Sequence, residues 1–175
     1  MLPFTSAAHD QANMPTNRRD LTRYLNQIWR HHFADTPRVN NVYIDYCYPW
    51  KSRLGLIRLS QDQSTSFIGI NTLLLLQQVP EEVLIITIAH ELVHYAHGFG
   101  SPLPRYYKHP HANNIVDREL EQRKLGDYLQ RCHAWIDKNW YSFYNRQRAS
   151  GWAGIDKISS FTELGPESPR HSCGE

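Results

Sequence analysis

The sequence is poor in cysteine and nearly balanced in charge, and both features exclude classes of protein. Its 175 residues include three cysteines, at positions 47, 132 and 173, and no CxxC pair. This scattered, odd set excludes a disulfide framework and an all-cysteine zinc site, so we expect free thiols in a reducing compartment. The formal net charge is +2, which by itself does not indicate a nucleic-acid-binding protein.

Long hydrophobic runs are also missing. The longest apolar stretch, residues 83–89, is far shorter than the roughly 20 residues that a membrane-spanning helix needs. Residues 1–9 have neither the basic start nor the apolar core of a secretory signal. We therefore predict a soluble protein of the cytoplasm that does not interact with membranes.

Histidine, in contrast, is abundant, with ten residues in the chain. Hydrophobic residues make up 41%, and a chain of this length suits one domain with a buried core. The polar residues 1–17 predict a flexible arm, and the Gly-, Ser- and Pro-rich residues 149–175 predict a disordered tail. We expect the folded domain over residues 18–148.

The spacing of apolar residues predicts an α+β domain. A helical period predicts an N-terminal helix from residue 18 to about residues 33–35. Alternating apolar and polar residues, together with β-forming side chains, then predict a small three-stranded sheet. Its strands are expected over residues 39–48, 54–59 and 65–70.

The rest of the domain is predicted to be helical. A leucine-rich helical turn over residues 72–78 precedes a helix that starts at Pro80. This helix is apolar on every side, which indicates that it is buried in the centre of the domain. It is followed by helices from about residue 110 to 124 and from residue 126 to 140 or beyond.

The central helix contains an HExxH motif, His90-Glu91-Leu92-Val93-His94. Residues four apart lie on one face of a helix, so His90 and His94 can bind one zinc ion. Glu91 lies beside that face and can take a proton from water that the zinc activates. The alternative is a chance match in which both histidines are core residues satisfied by hydrogen bonds. Burying them without a partner is costly, which favours the metal.

A catalytic zinc site usually has a third protein ligand, and a histidine after the central helix is the preferred source. His109 and His111 flank Pro110, which is expected to start the next helix. His111 is preferred because it shares a face of that helix with Ile115, and His109 is the alternative.

A glutamate is the runner-up for the third ligand. Glu119 and Glu121 lie on the expected next helix, where some metalloproteases carry a glutamate ligand. His97 lies too far along the axis of the central helix to join His90 and His94, and we expect it at the surface or beside a ligand. The extended motif HExxHxxGxxH does not occur, because position 100 is glycine.

The order of the segments around the HExxH motif resembles that of the SprT-like (Spartan-type) zinc metalloprotease domain, a member of the zincin superfamily. The resemblance spans roughly residues 20–126. It includes the N-terminal helix, a strand that follows Ser52-Arg53-Leu54-Gly55 and ends Ile57-Arg58-Leu59-Ser60, the HExxH helix, and Pro110-His111-Ala112-Asn113-Asn114-Ile115.

The resemblance implies a zincin-like fold, a zinc cofactor and hydrolysis of peptide bonds. It implies that His90, His94 and a later histidine bind the zinc and that Glu91 is catalytic. Two departures weaken the match. Ala112 follows His111 where the family usually has glycine, and the Cys-rich zinc ribbon that often follows the domain is absent.

The predicted function is zinc-dependent cleavage of a protein or peptide substrate. If residues 65–70 form an edge strand beside the site, they can pair with an extended peptide substrate. A second hypothesis is a metal-stabilised module that binds nucleic acid or protein without catalysis. Residues 105–148 interleave basic and aromatic residues, a pattern that can bind DNA. The competing interpretation of that pattern is an aromatic core stripe under a solvated charged face. A third hypothesis is a structural protein without metal.

Overall fold

The structure, a computed structural model, describes residues 19–153 and residue 155. It is α+β, with four α-helices and a three-stranded mixed sheet, which confirms the predicted fold class. The elements are α1 (Leu21–His32), β1 (Asn41–Tyr46), β2 (Gly55–Leu59), β3 (Thr65–Ile70), α2 (Glu81–Ala96), α3 (Ile115–Gln122) and α4 (Gly126–Ala149). The predicted arm, residues 1–17, and most of the predicted tail, residues 149–175, lie outside the described residues.

Helix α1 forms where its amphipathic period predicts. The side chain of Asp20 accepts a hydrogen bond of 3.0 Å from the backbone N–H of Arg23, which satisfies one of the free donors at the helix start. Its apolar stripe, which includes Leu25 and Ile28, is buried in the common core. The helix packs against both α2 and β1.

The sheet has the strand order β1-β3-β2. Strand β3 pairs in parallel with β1 and antiparallel with β2, so it is the central strand. Residues 65–70 form the predicted strand but not an edge of the sheet, so the condition for their pairing with a substrate is not met. Ile68 and Ile70 are fully buried, which suits a strand flanked on both sides, and β1 and β2 form the two edges of the sheet among the described residues.

Helix α2 is the centre of the domain, as its apolar sequence predicts. It packs against the other three helices and against β2 and β3. Pro80 is its N-cap, and the acidic Glu81 and Glu82 in the first turn suit the positive end of the helix dipole. Eleven of its residues are buried, among them Ile88 and Ala89.

The segment after α2 differs from its prediction. Helix α3 begins at Ile115 rather than near Pro110, because Asn113 and Asn114 have left-handed backbone angles, with φ of 55° and 53°. Asparagine tolerates this conformation better than most residues, but a helix cannot continue through it. His111 consequently lies on the turn before α3 and not on the helical face that the sequence predicted.

Helix α4 is the longest element and runs through Ala149. Trp140, Phe143 and Tyr144 are buried in the core, and Leu129 and Cys132 continue the same stripe towards α2. The predicted leucine-rich turn after β3 is a short 3-10 helix, Thr72–Leu75. Within the described part of the chain, no helix has both the length and the apolar character needed to cross a membrane.

A buried asparagine fixes the turn that leads into β2. The side-chain amide of Asn71 donates hydrogen bonds to the backbone oxygens of Trp50, at 2.8 Å, and Arg53, at 2.7 Å. Its side-chain oxygen accepts from the backbone N–H of Leu73 at 3.0 Å. Asn71 is fully buried, so these bonds tie the turn to the end of the central strand.

We predict that Asn71→Ala lowers the free energy of unfolding by about 2 kcal/mol or more, because it leaves three backbone groups without their partner. Urea denaturation measures the change. The control is Asn145→Ala on the exposed side of α4, which should alter stability by less than about 0.5 kcal/mol. Equal effects of the two substitutions would show that the turn is not held by Asn71.

Candidate metal centre

A cleft of about 730 Å³ opens between β2, α2 and α4. The HExxH residues lie in the wall that α2 contributes. Strand β2 and the turn before it form a second wall, and α4 contributes Cys132, His133 and Ile136. His111 lines the cleft from the turn before α3.

Three imidazole nitrogens converge in this cleft. The Nε2 atom of His111 lies 3.2 Å from Nε2 of His90 and 3.0 Å from Nε2 of His94. The potential ligand atoms of all three residues lie within 4.8 Å of one another, so the three histidines could hold a metal ion. Among the described residues, no other group of histidine, cysteine or acidic side chains has this arrangement.

The spacing of these nitrogens fits a shared metal better than a network of hydrogen bonds. Nitrogens at the usual zinc distance in a tetrahedral site are about 3.4 Å apart, close to the observed separations. A neutral histidine carries one N–H, so Nε2 of His111 can donate to only one of its two neighbours. The Nδ1 atom of His94 is buried with no hydrogen-bond partner among the described residues, so no neighbour there determines which ring nitrogen carries the proton.

Burial keeps the two α2 histidines in the form that binds metal. It lowers the pKa of His90 to about 4, with smaller contributions from the positive charges of His111 and His133. It lowers the pKa of His94 to about 3, assisted by His90 and His111. Both imidazole rings are therefore neutral at neutral pH, which leaves one nitrogen lone pair on each ring for a metal ion.

Glu91 lies beside the histidines and is almost completely buried, with 5% of its surface exposed. Burial raises the pKa of its carboxyl to about 8, and the charge of Arg53 acts in the opposite direction. In the absence of other charges, Glu91 is therefore protonated at neutral pH. A cation in the cleft favours the ionised form, which brings the group into the range where it can both accept and donate a proton.

The other candidates for a third ligand lie apart from this group. His109 is exposed and does not belong to it. Glu119 points into a separate network, where its carboxylate lies 2.8 Å from the guanidinium of Arg123 and 3.7 Å from Nε2 of His97. Arg123 also binds Asp35, at 2.6 Å. Glu119 thus ties α3 to α1 and α2 instead of facing the cleft.

His97 does not lie at the surface, which was one of its two predicted places, and its charge contributes to the lowered pKa of the candidate ligand His94. It is buried, with 6% exposed, and its ring packs against Tyr107 at a centroid distance of 4.8 Å. Burial lowers its pKa, whereas the charge of Glu119 raises it. Glu121, the second acidic candidate, is exposed on α3.

Sequence reasoning missed several residues of the cleft. His133 of α4 lines it and has an ion-pair distance of 4.0 Å to Asp117. Arg53 lines it from the turn before β2. The sequence offers no signal for His133, because its place depends on how α4 packs; Arg53 lies within the segment that carries the family resemblance.

The basic and aromatic residues of α4 mostly follow the core-stripe interpretation. Trp140, Phe143 and Tyr144 are buried and cannot stack on a nucleic-acid base. Tyr128 and Tyr141 are exposed, and the guanidinium of Arg131 lies 4.9 Å from the centre of the Tyr128 ring. Contact with DNA through this helix stays a prediction.

A close approach of β2 to α2 shapes the site at Gly55. A Cβ atom added at Gly55 would lie 2.7 Å from Oε1 of Glu91 and 2.8 Å from Cγ2 of Thr87. These distances are shorter than any ordinary contact, so only glycine lets the strand lie this close to the helix. The missing side chain thereby leaves room for the Glu91 carboxyl.

We predict that Gly55→Ala destabilises the protein by about 1–3 kcal/mol, because β2 or Glu91 must move away. Thermal and urea unfolding measure the change, and adding Thr87→Ser should restore part of it by removing one of the two contacts. Gly126→Ala is the matched control, since its new Cβ would meet only the Cγ atom of Glu121, at 3.7 Å. A Gly55→Ala protein as stable as Gly126→Ala would contradict the close packing.

Comparisons with known proteins give a likeness to solved structures only. No protein-family model matches the chain, and a search of curated proteins finds no match. Among solved structures, the chain is similar to the crystal structure of the metallopeptidase zymogen of Methanocaldococcus jannaschii jannalysin, with 19% sequence identity and a TM-score of 0.31. The alignment covers 65% of this chain and 98% of that one.

Proposed function

We propose that this protein is a zinc-dependent metallopeptidase of the SprT-like type. The observation that carries the proposal is the convergence of three histidine nitrogens beside a buried carboxyl group in an open cleft. The resemblance of the flanking segments to SprT-like domains supports the assignment to that type. Free, buried thiols at Cys47 and Cys132 suit the cytoplasm, which we propose as the location.

The donor set fits zinc. Neutral imidazoles are common zinc ligands, and three protein ligands with one open position are the usual composition of a catalytic zinc site. We assign His90, His94 and His111 to the metal. When bound, zinc supplies a Lewis acid that polarises a carbonyl group and acidifies water.

Glu91 does the proton transfer in this proposal. Its carboxylate accepts a proton from the attacking water and later gives that proton to the nitrogen of the leaving amine. The proton gained in the first step is the proton lost in the second, so Glu91 returns to its starting form. Burial raises the pKa of this carboxyl to about 8 in the absence of metal, and a bound cation would lower it towards neutral pH, where a carboxyl group exchanges protons in both directions.

The substrate is a peptide that lies in the cleft along β2. Strand β2 lines the cleft and has a free outer edge, so its backbone groups are available to pair with an extended chain. This assigns to β2 the role that the sequence predicted for residues 65–70. Protein substrates can enter in the same way if they present an extended segment.

The metal assignment makes a first prediction. We expect about one zinc ion per chain in the purified protein, measured by elemental mass spectrometry. His94→Ala and His111→Ala should lose the metal, whereas His109→Ala and Glu119→Gln should keep it. If His109→Ala loses the zinc and His111→Ala keeps it, His109 is the third ligand. A wild-type protein that does not bind zinc would contradict the metal assignment.

The catalytic assignment makes a second prediction. Glu91→Gln should keep the zinc and lose peptide cleavage by about a hundredfold or more, because the amide cannot accept the proton. A peptide library with mass-spectrometric detection measures the cleavage, and Glu121→Gln on the exposed face of α3 is the matched control. Full turnover by Glu91→Gln would contradict the mechanism. A salt-sensitive DNA affinity, without cleavage in either protein, would favour the metal-stabilised binding module.

A further inference from the structure

An exposed arginine stands at the cleft wall close to the proposed catalytic carboxyl. Arg53 lines the cleft from the turn before β2, two residues before Gly55, where an added Cβ atom would meet the Glu91 side chain. Arg53 and Glu91 thus line the same cleft, and the charge of Arg53 acts on the Glu91 carboxyl.

The position of Arg53 is fixed by its surroundings. The buried Asn71 binds the backbone oxygens of both Trp50 and Arg53, so the two ends of this short turn are held together. The guanidinium lies 5.9 Å from the centre of the Trp50 ring, within the range of a cation–π contact. An arginine held over an aromatic ring keeps the N–H groups at its edge available to a ligand.

Arg53 has no acidic partner among the residues that the structure describes. Within residues 19–153, its guanidinium makes no ion pair or side-chain hydrogen bond. The described residues that line the cleft include one carboxyl group, that of Glu91, which has its own role. Among the described residues of the cleft, the charge of Arg53 is therefore opposed only by the Glu91 carboxyl, and its guanidinium N–H groups have no hydrogen-bond partner there.

The second arginine of the cleft wall, Arg58, faces the other way. Gly55 and Ile57 lie towards α2, since Gly55 meets Thr87 and Ile57 lies against Gly100. Side chains alternate along a strand, so Arg58 belongs to the opposite face of the sheet. Of the two arginines, Arg53 is thus the one that lies on the same side of the cleft wall as Glu91.

We propose that Arg53 recognises a carboxylate of the substrate, so that the protein selects peptides with a carboxylate close to the cleaved bond. The carboxylate belongs either to an acidic side chain or to the free C-terminus of the peptide. This inference rests on the proposed peptidase function. A guanidinium binds a carboxylate through two parallel hydrogen bonds, and an aromatic support favours that geometry.

A peptide fits this site better than a nucleic acid does. Binding to a phosphate backbone draws its affinity from many basic groups along a track. Here one guanidinium, that of Arg53, lies beside Glu91, and the cleft is lined largely by apolar side chains, which include Leu54, Ile86 and Phe99. Such a lining suits the side chains of a peptide.

The test measures binding by fluorescence anisotropy, with zinc-loaded Glu91→Gln protein so that no probe is consumed. The probes are labelled peptides in two matched pairs: internal Glu against Gln, and a free C-terminal acid against the C-terminal amide. We expect about tenfold or tighter binding of the acid in at least one pair, and the pair that shows it identifies the source of the carboxylate. Adding Arg53→Gln should abolish this preference and leave the binding of the neutral peptide unchanged.

Two further variants sharpen the test. Arg58→Gln removes the same charge from the same strand and should keep the preference for the acid. Arg53→Glu should reverse the preference, towards a peptide with lysine in place of glutamate. Equal affinity for acid and neutral peptides, or equal losses in Arg53→Gln and Arg58→Gln, would overturn the proposal.

Other outcomes separate this inference from the peptidase function. An Arg53-dependent affinity for a single-stranded oligonucleotide, with no discrimination between the peptides, would overturn the peptide proposal in favour of phosphate recognition. Arg53-dependent carboxylate binding, in a wild-type protein that cleaves none of these peptides, would confirm the recognition and contradict the peptidase function. Cleavage of these peptides by the wild-type protein, without a preference for the carboxylate, would confirm the peptidase function and contradict the carboxylate recognition.

Discussion

The structure depends on the burial of a helix that carries ionisable side chains. Helix α2 contacts every other helix and two strands, and its apolar residues form the centre of the core. His90, Glu91 and His94 lie in the middle of that helix, where a charge loses much of its hydration. The shifts in their pKa values express this cost: both histidines are held neutral, and the carboxyl keeps its proton to higher pH. A cation shared by the histidines offsets part of the cost.

The same burial explains why the cleft has its shape. Strand β2 must approach α2 closely to cover it, and Gly55 removes the side chain that would prevent this approach. The hydrogen bonds from Asn71 to the backbone oxygens of Trp50 and Arg53 then fix the turn that leads into β2. On the other side, the apolar stripe of α4 covers α2 and brings Cys132 and Ile136 to the cleft. The three walls therefore follow from the packing of one helix.

The features that the sequence predicted are those with a local cause. The period of α1, the bounds of β3 and the place of HExxH on a buried helix all depend on neighbouring residues, and the structure agrees with each. The errors concern features that the pattern of apolar residues does not encode, which are strand pairing and left-handed backbone conformation. The central position of β3 depends on which strands pair, and the late start of α3 depends on two left-handed asparagines. His111 joins His90 and His94 even though the helical face used to prefer it does not exist, so the residue was chosen for a wrong reason.

The ion pairs outside the cleft also determine the charge inside it. Arg123 holds the carboxylate of Glu119 together with Asp35, and the guanidinium lies over the ring of Phe33 at 4.2 Å. A carboxylate held in this way is not free to approach the histidines, so the candidate ligands in the cleft are all neutral imidazoles. A divalent ion held by three neutral ligands keeps its full charge, whereas a glutamate ligand would remove part of it. Under the proposed assignment, a bound divalent ion and Arg53 would both place positive charge in the cleft, which favours carboxylates over basic segments of other proteins.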